Sequence, residues 1–212
     1  MTLYALKPQF QHLLKPVVRG LSDTRITANQ VTLAAAIGSA IVATIIITAA
    51  ETRWVFLLLP AWFILRMGLN AIDGMLAREH RQESRLGAYL NEISDVVSDA
   101  MLIAPIAMVE PFGVPGVALL IFLAALTEFA GVLGQTVGSS RRYDGPLGKS
   151  DRALVFGALG LWIGIGAPLP SWLGWIVPMI AVLLVVTVVN RVCAGLREVA
   201  AKGCNENPSV VR

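Results

Sequence analysis

The chain has 212 residues, of which 56% are hydrophobic and 15% are charged, and its formal net charge is +3. A soluble domain of this size needs more polar surface than this composition supplies, so the composition favours a membrane protein and excludes a disordered chain. The two cysteines, Cys193 and Cys204, are not spaced as metal ligands, which excludes a zinc site and a disulfide framework.

Residues 1–27 are predicted to form an amphipathic leader at the membrane interface. Large apolar side chains recur at helical spacing between residues 3 and 18, with Lys7 and Lys15 between them. Pro8 and Pro16 are expected to interrupt this helix, because proline lacks the backbone N–H that a helix interior needs. The alternative is an ordinary frayed leader.

Six windows are long and apolar enough to cross a bilayer, which takes about 20 residues of helix. They cover residues 28–50, 54–77, 87–109, 113–137, 152–168 and 172–196. The predicted fold class is therefore an all-α integral membrane protein, with six transmembrane helices in residues 28–197 after the interfacial helix. Residues 198–212 form a polar tail, which is expected to be disordered after Ala201.

Basic residues lie almost entirely on one side of the six predicted spans. Of the 17 lysines and arginines, Arg53 alone falls on the other side, while Arg66 and Arg191 fall inside spans. Positively charged loops stay in the cytoplasm, so both termini are predicted to be cytoplasmic. This topology accounts for the basic residues, and nucleic-acid binding is not expected because no aromatic and basic platform accompanies them.

The second and third predicted spans carry polar side chains where they approach the loop at 78–86. At about 100 degrees per residue, these side chains gather on one face of each helix. They are Asn70, Asp73, Gly74 and Ala77, followed by Arg78, on the second span, and Asn91, Glu92, Asp95 and Asp99 on the third. Charged groups inside a bilayer are costly, which makes these residues candidates for function. Two such faces joined by a short loop are expected to face each other or a shared cavity.

The residue types on these faces indicate a class of ligand. Carboxylate and amide oxygens suit Mg²⁺ or Mn²⁺ rather than zinc, and the alternative is a polar contact that ties the two helices together. For Asp99 the preferred interpretation is an intramembrane ion pair with Arg66, because the two residues lie at similar depth in their spans. Glu128, in the fourth span, is either a hydrogen-bonded structural acid or a site residue.

The same residues carry a recognisable spacing. The pattern Asn70-x2-Asp73-Gly74-x2-Ala77-Arg78-x8-Gly87-x3-Asn91-x3-Asp95 resembles the signature of the CDP-alcohol phosphotransferases, which has aspartate where this chain has asparagine. The start of the first span, Ile26-Thr27-Ala28-Asn29-x2-Thr32, is similar to the family's Thr-Pro-Asn-x2-Thr. The resemblance covers essentially the whole chain.

This resemblance implies an integral membrane enzyme that transfers a phosphatidyl group from CDP-diacylglycerol to a small polar alcohol or alcohol phosphate and releases CMP. It implies two divalent ions, Mg²⁺ or Mn²⁺, over the pyrophosphate, and Asp95 as the general base. The implied metal ligands are Asn70, Asp73, Asn91 and Asp95, and the implied nucleotide site comprises Asp73, Gly74, Ala77, Arg78 and Gly87. A homodimer in contact with membrane lipids is implied as well.

The two asparagines depart from the family's pattern. An amide oxygen can coordinate a hard cation but brings no charge, so the site is expected to hold metal more weakly. Glu92 and Asp99 are possible accessory acids that could restore the charge. We interpret the asparagine pair as a feature of one bacterial branch of the family.

A basic segment lies between the fourth and fifth predicted spans. Its basic residues are Arg141, Arg142, Lys149 and Arg152. Similarity to related family members implies that they form, with Arg191 of the sixth span, a pocket for an anionic acceptor such as glycerol phosphate or inositol phosphate. The alternative is that they only set the topology and attract anionic headgroups.

Three functional hypotheses remain. The first is the phosphatidyltransferase, expected in the bacterial inner membrane with its active site at the cytoplasmic leaflet. The second is a degenerate member that binds CDP-lipid without turnover, because two of the four aspartates are amides. The third is a transporter or channel, since intramembrane charges can also form an ion path.

Overall fold

A computed structural model describes residues 7–206 of the chain, and these residues form helices joined by short connections. The α-helices in this range are α1 (Lys7–Asp23), α2 (Ala28–Thr48), α3 (Leu58–Glu79), α4 (Arg85–Ile103), α5 (Val114–Thr136), α6 (Lys149–Gly164) and α7 (Ile176–Glu206). Short 3-10 helices cover Arg53–Leu57, Ala104–Met108 and Ser171–Trp175 and lead into or out of the longer helices.

Four segments of the described chain are long and apolar enough to cross a membrane. They are Ala28–Thr48, Arg53–Glu79, Val114–Thr136 and Ser171–Gly203. Their outward surfaces expose large apolar side chains, such as Ile64 at 71% and Trp175 at 76%, which a lipid environment would cover. The structure therefore confirms an all-α, membrane-type fold, and four of the six predicted spans correspond to segments long and apolar enough to cross a bilayer.

The two remaining predicted spans correspond to α4 and α6. Helix α4 carries Glu92, Asp95 and Asp99, which lower its hydropathy, and α6 has only 16 residues. Both helices pack within the bundle, α4 against α2 and α5, and α6 against α3. Whether they cross the bilayer stays a prediction.

Local sequence fixes where α2 and α4 begin. Thr27 and Gln30 form a reciprocal capping box at the start of α2, and Ser84 accepts a hydrogen bond from the backbone N–H of Gly87 at the start of α4. A Cβ atom on Gly87 would lie 2.7 Å from Oδ1 of Asn29. The two helix starts are therefore in contact.

The main apolar core lies around α6 and the segment that leads into α3. Phe56, Leu59, Phe156 and Ile163 are buried there. A Cβ atom on Gly160 would lie 2.7 Å from Cβ of Leu59, so glycine permits the close approach of these segments. Helix α6 thus ends in the apolar core, whereas its first residue, Lys149, lies among charged side chains at the other end of the bundle.

The leader differs from the prediction in one respect. Helix α1 continues through Pro16, and the predicted interruption there is wrong. Proline removes one hydrogen bond, but Val18 is 1% exposed and packs with Ile72 and Met75 of α3, which helps to hold the helix together. Pro8 lies in the first turn of α1, where no intrahelical N–H bond is lost. The first six residues of the leader lie outside the described residues, and its interfacial location stays a prediction.

The C-terminal segment is more ordered than expected. Helix α7 continues to Glu206, so the predicted disorder directly after Ala201 is wrong for the following residues of that helix. Glu198 accepts from Arg142 at 2.6 Å and from Lys202 at 2.8 Å, and Lys202 also donates to the carbonyl oxygen of Gly138. These contacts tie the end of α7 to the loop before α6. Residues 207–212 lie outside the described range.

Candidate active site

The polar faces of α3 and α4 meet, as the sequence predicts. The amide nitrogen of Asn70 on α3 donates to Oδ1 of Asp95 on α4 at 3.3 Å. Asp73 lies one turn further along α3 and, like Asp95, is buried in the bundle. The side chain of Asn91 is half-buried, one turn before Asp95. The two carboxylates and two amides of the signature thus come from neighbouring helix faces.

Thr32 of α2 positions Asp73. Its hydroxyl donates to Oδ2 of Asp73 at 2.7 Å, and both residues are buried. The sequence includes Thr32 in the motif at the start of the first span but does not identify its role. Asn29 lies within the capping box of Thr27 and Gln30, Thr32 lies two residues after it, and both side chains approach signature residues.

Asp95 accepts from three donors among the described residues. They are the guanidinium of Arg66 at 3.3 Å, the amide of Asn70 and the ammonium of Lys149. Lys149 contacts Oδ2, while the other two donors contact Oδ1. The sequence predicts Lys149 as an acceptor-binding residue, and in the structure its ammonium contacts the predicted base.

The small residues of the signature lie beside larger polar side chains. A Cβ atom on Gly74 would lie 3.1 Å from Nη2 of Arg78, so the exposed guanidinium of Arg78 folds over the backbone of α3. Likewise, a Cβ atom on Gly87 would lie 2.7 Å from Oδ1 of Asn29. Ala77 packs against the apolar cluster formed by α1, α2 and α3. Of this set, Arg78 is the member placed to contact a phosphate from solvent.

Asp99 forms the predicted ion pair with Arg66, at 2.5 Å between Oδ1 and Nη1. Its other oxygen, Oδ2, accepts from Nη2 of Arg152 at 2.8 Å. The prediction of the pair is confirmed, and the second arginine was not predicted. With both oxygens bound by buried arginines, Asp99 serves the packing of α3, α4 and α6.

Glu128 of α5 is the second buried acid that binds several arginines. It accepts from Arg152 at 2.9 Å and from Arg141 at 3.3 Å, and Arg191 lies 3.4 Å away. Arg152 and Arg191 are each 2% exposed. Arg152 also donates to the hydroxyl of Thr127, and Arg191 donates to the carbonyl oxygen of that residue. Both arginines are therefore held inside the bundle.

The other basic residues lie on the open side of the site. A cavity of about 360 Å³ is lined by Arg141, Arg142, Tyr143 and Asp144. Arg141 pairs with Glu92 at 2.7 Å and lies over the ring of Tyr143, while Arg142 pairs with Asp144 at 2.9 Å. The predicted acceptor-binding set is thus divided into two buried arginines and three more accessible basic residues.

The oxygen atoms of this donor set are of the kind that a hard divalent cation binds. Asp73 and Asp95 supply carboxylate oxygens, and a half-turn of the Asn70 amide would present its oxygen in place of its nitrogen. Asn91 can add a second amide oxygen. Among residues 7–206, no three His, Cys, Asp or Glu side chains are arranged to hold a metal.

Comparisons with known proteins agree with this geometry. The model of the CDP-alcohol phosphatidyltransferase family matches residues 25–199. The chain is 45% identical over 194 residues to the inner membrane protein YnbA of Escherichia coli (strain K12), a match that covers 90% of this chain and 94% of that protein.

Two crystal structures of phosphatidylinositol phosphate synthase (PgsA1) from Mycobacterium tuberculosis share the fold at 20% sequence identity. The complex with manganese and citrate has a TM-score of 0.66 over 85% of this chain and 88% of that chain. The structure with CDP-DAG bound has a TM-score of 0.65 over 89% of this chain and 94% of that chain. From its signature residues and the match over most of its length, this chain belongs to the CDP-alcohol phosphatidyltransferase family.

Proposed function

We propose that this protein transfers a phosphatidyl group from CDP-diacylglycerol to a small polar alcohol or alcohol phosphate and releases CMP. The observation that carries the proposal is the meeting of Asn70 and Asp73 on α3 with Asp95 on α4, in the spacing of the family signature. A relative of the same fold binds CDP-DAG and another crystal of it contains manganese.

Asp95 is the residue we assign as general base. A carboxylate offers about four lone-pair positions, and Arg66 and Lys149 take two of them on Asp95. With the Asn70 amide turned to present its oxygen to a metal ion, the two remaining positions can hold that ion and the hydroxyl proton of an acceptor. Arg66 and Lys149 hold this carboxylate in place from opposite sides. Proton transfer by a positioned side chain of this kind contributes about 10²- to 10⁴-fold to a rate.

The substrate phosphates have two groups of contacts available. Arg78, exposed above Gly74, is placed to bind the pyrophosphate, and Gly87 keeps the start of α4 free of a side chain. Asp73, Asp95, Asn70 and Asn91 would hold Mg²⁺ or Mn²⁺, which would stabilise negative charge on the pyrophosphate. Thr32 orients Asp73 for that role.

The acceptor is assigned to the open side of the site. Arg141, Arg142 and Lys149 are the accessible basic residues there, and they favour an acceptor that carries a phosphate. Arg152 and Arg191 contribute indirectly, because they hold Asp99 and Glu128 in the bundle.

The location we propose is a bacterial inner membrane, as for YnbA of Escherichia coli. The one-sided distribution of basic residues supports cytoplasmic termini and an active site at the cytoplasmic leaflet. The proposal also includes six spans, contact with membrane lipids, a homodimer and a separate family branch marked by the asparagine pair. They rest on the sequence and its resemblance to the family.

A second candidate is a member that binds CDP-lipid without turnover. The crowding of Asp95 by Arg66, Asn70 and Lys149 favours it, since those donors compete with an acceptor hydroxyl for the carboxylate. The transferase is preferred because Asp73 and Asp95 keep the spacing and the facing arrangement that the chemistry needs.

The test is CMP release by the purified protein from CDP-diacylglycerol, with Mg²⁺ or Mn²⁺, across glycerol phosphate, inositol phosphate, serine, glycerol and inositol. We expect release that depends on the metal and on one acceptor, preferably a phosphate. The matched control is Glu51→Gln, an exposed acid outside the site, which should keep wild-type release. Absence of release across the panel would contradict the transferase.

A further inference from the structure

The charged side chains around Asp95 form one continuous network of salt bridges through α3, α4, α5, α6 and α7. Its cations are Arg66, Arg141, Lys149, Arg152 and Arg191, and its acids are Glu92, Asp95, Asp99 and Glu128. Asp73 is buried one turn beyond Asn70 on the same face of α3 and adds a fifth acid. Within this set the five cations and the five acids carry equal and opposite charge.

This balance limits how much further positive charge the site can accept. Each phosphate of a pyrophosphate diester carries one negative charge, so one divalent cation neutralises the substrate's two phosphates. A second divalent cation would leave two positive charges uncompensated beside residues such as Arg66 and Asp99, which are less than a tenth exposed. Uncompensated charge in such surroundings is strongly unfavourable.

Lys149 is the cation of this network that contacts Asp95 from α6. Its ammonium contacts Oδ2 of Asp95, on the side of the carboxylate away from Arg66 and Asn70. It is also the most exposed cation that contacts Asp95, with a side-chain exposure of 33% against 4% for Arg66. A positive charge is therefore already present beside Oδ2 of Asp95, the oxygen that a second metal ion would need.

The backbone holds Lys149 in this position. The backbone N–H of Leu147 donates to the hydroxyl of Thr187 on α7 at 3.1 Å. Gly145 has a φ of +125°, and a Cβ atom there would lie 2.6 Å from Thr187, so only glycine lets the loop approach α7 this closely. The loop ends at the first residue of α6, which is Lys149.

We propose that Lys149 takes the place of one divalent cation beside Asp95, and that the site holds a single Mg²⁺ or Mn²⁺ through Asp73, Asp95 and the amides of Asn70 and Asn91. The inference rests on the proposed function and departs from the two ions that the family resemblance implies. The neutral amides at 70 and 91 and the lysine at 149 are then parts of one electrostatic arrangement.

The test is the stoichiometry of Mn²⁺ bound to the purified full-length protein with saturating CDP-diacylglycerol and no acceptor, measured by equilibrium dialysis and by electron paramagnetic resonance. We expect one Mn²⁺ per chain for the wild type. Lys149→Met should bind Mn²⁺ at least about tenfold more tightly, because it removes a positive charge next to the ion. Combining it with Asn70→Asp and Asn91→Asp should create a second site, seen as a second Mn²⁺ and as spin coupling between the ions.

Two further variants serve as controls. Lys149→Arg keeps the charge and should keep one ion at wild-type affinity, and Lys202→Met removes an exposed charge on the last part of α7 and should change nothing. Circular dichroism and size-exclusion profiles that match the wild type show that each variant is folded. Two ions in the wild type, no ion at millimolar Mn²⁺, or an affinity unaffected by Lys149→Met overturns the inference.

The stoichiometry and the affinity of Mn²⁺ binding are both measured without turnover. A protein that binds one Mn²⁺ in this way but releases no CMP retains the metal inference and contradicts the proposed transferase. A protein that releases CMP but binds two Mn²⁺ supports the proposed transferase and contradicts the metal inference.

Discussion

The two ends of the bundle are stabilised by different interactions. At one end, Phe56, Leu59, Phe156 and Ile163 pack as an apolar core around the end of α6. At the other, the first turn of α6 brings Lys149 and Arg152 to the acids of α4. Apolar packing tolerates small changes of shape, whereas a buried charge left without its partner is costly, so the charged end fixes its geometry more strictly.

The largest expected effect is on turnover, at the charged end. Asp95→Asn should lower the rate of CMP release about 10³-fold or more, because the amide cannot take the proton of the acceptor. The variant keeps a hydrogen-bond acceptor for Arg66, so CDP-lipid binding should persist. Rates measured at equal amounts of folded protein test this, with Glu51→Gln as the control. A rate within a few-fold of wild type would remove Asp95 from the role of base.

Next comes the stability of the charged end. Asp99→Asn leaves Arg66 and Arg152 without their shared carboxylate, and breaking a buried pair of this kind costs about 3–5 kcal/mol. Denaturant unfolding in detergent should show that loss, and Asp23→Asn, at an exposed position in α1, should show none. Wild-type stability combined with lost activity would assign Asp99 to the chemistry instead.

A change in the apolar end should be smaller and should not affect the chemistry. Gly160→Ala places a methyl group 2.7 Å from Leu59 and should destabilise the protein by about 1–3 kcal/mol through overpacking. The folded fraction should keep wild-type turnover. Gly68→Ala is the matched control, since nothing lies within 4 Å of its Cβ position. Lost turnover in well-folded Gly160→Ala would show that the two ends are coupled.

The smallest expected effect concerns metal affinity. Asn70→Asp adds a negative charge beside Asp95 and should tighten Mn²⁺ binding about tenfold. The Mn²⁺ concentration that supports half-maximal CMP release should fall accordingly, and Asn91→Asp should act in the same direction. An unchanged metal dependence would place Asn70 outside the ligand set.

Much of the fold is predictable because apolar runs mark α2, α3, α5 and α7. Helix α6 is less predictable, because it begins at Lys149 and ends at Gly164, whereas the predicted window is 152–168. The early end precedes Gly166, whose positive φ of 74° turns the chain out of the helix. The continuity of α1 through Pro16 depends on packing against α3, which local sequence does not reveal.

The site is predictable where the helical repeat of α3 and α4 alone decides which side chains face each other. The facing of Asn70 and Asp95, and the pairing of Arg66 with Asp99, both follow from position along two adjacent helices. The contacts of Lys149 and Arg152 do not, because they depend on the path of a loop. That path is set by the left-handed conformation of Gly145 against Thr187, far along the chain.

The most direct test of the transferase is to measure CDP-diacylglycerol binding and CMP release on the same wild-type sample with Mn²⁺ and the acceptor panel. The account predicts that bound CDP-lipid is converted to CMP and a new phospholipid when one acceptor is added. Bound CDP-lipid that stays intact with every acceptor would contradict it and would identify a binding protein in which Asp95 is held by Arg66, Asn70 and Lys149.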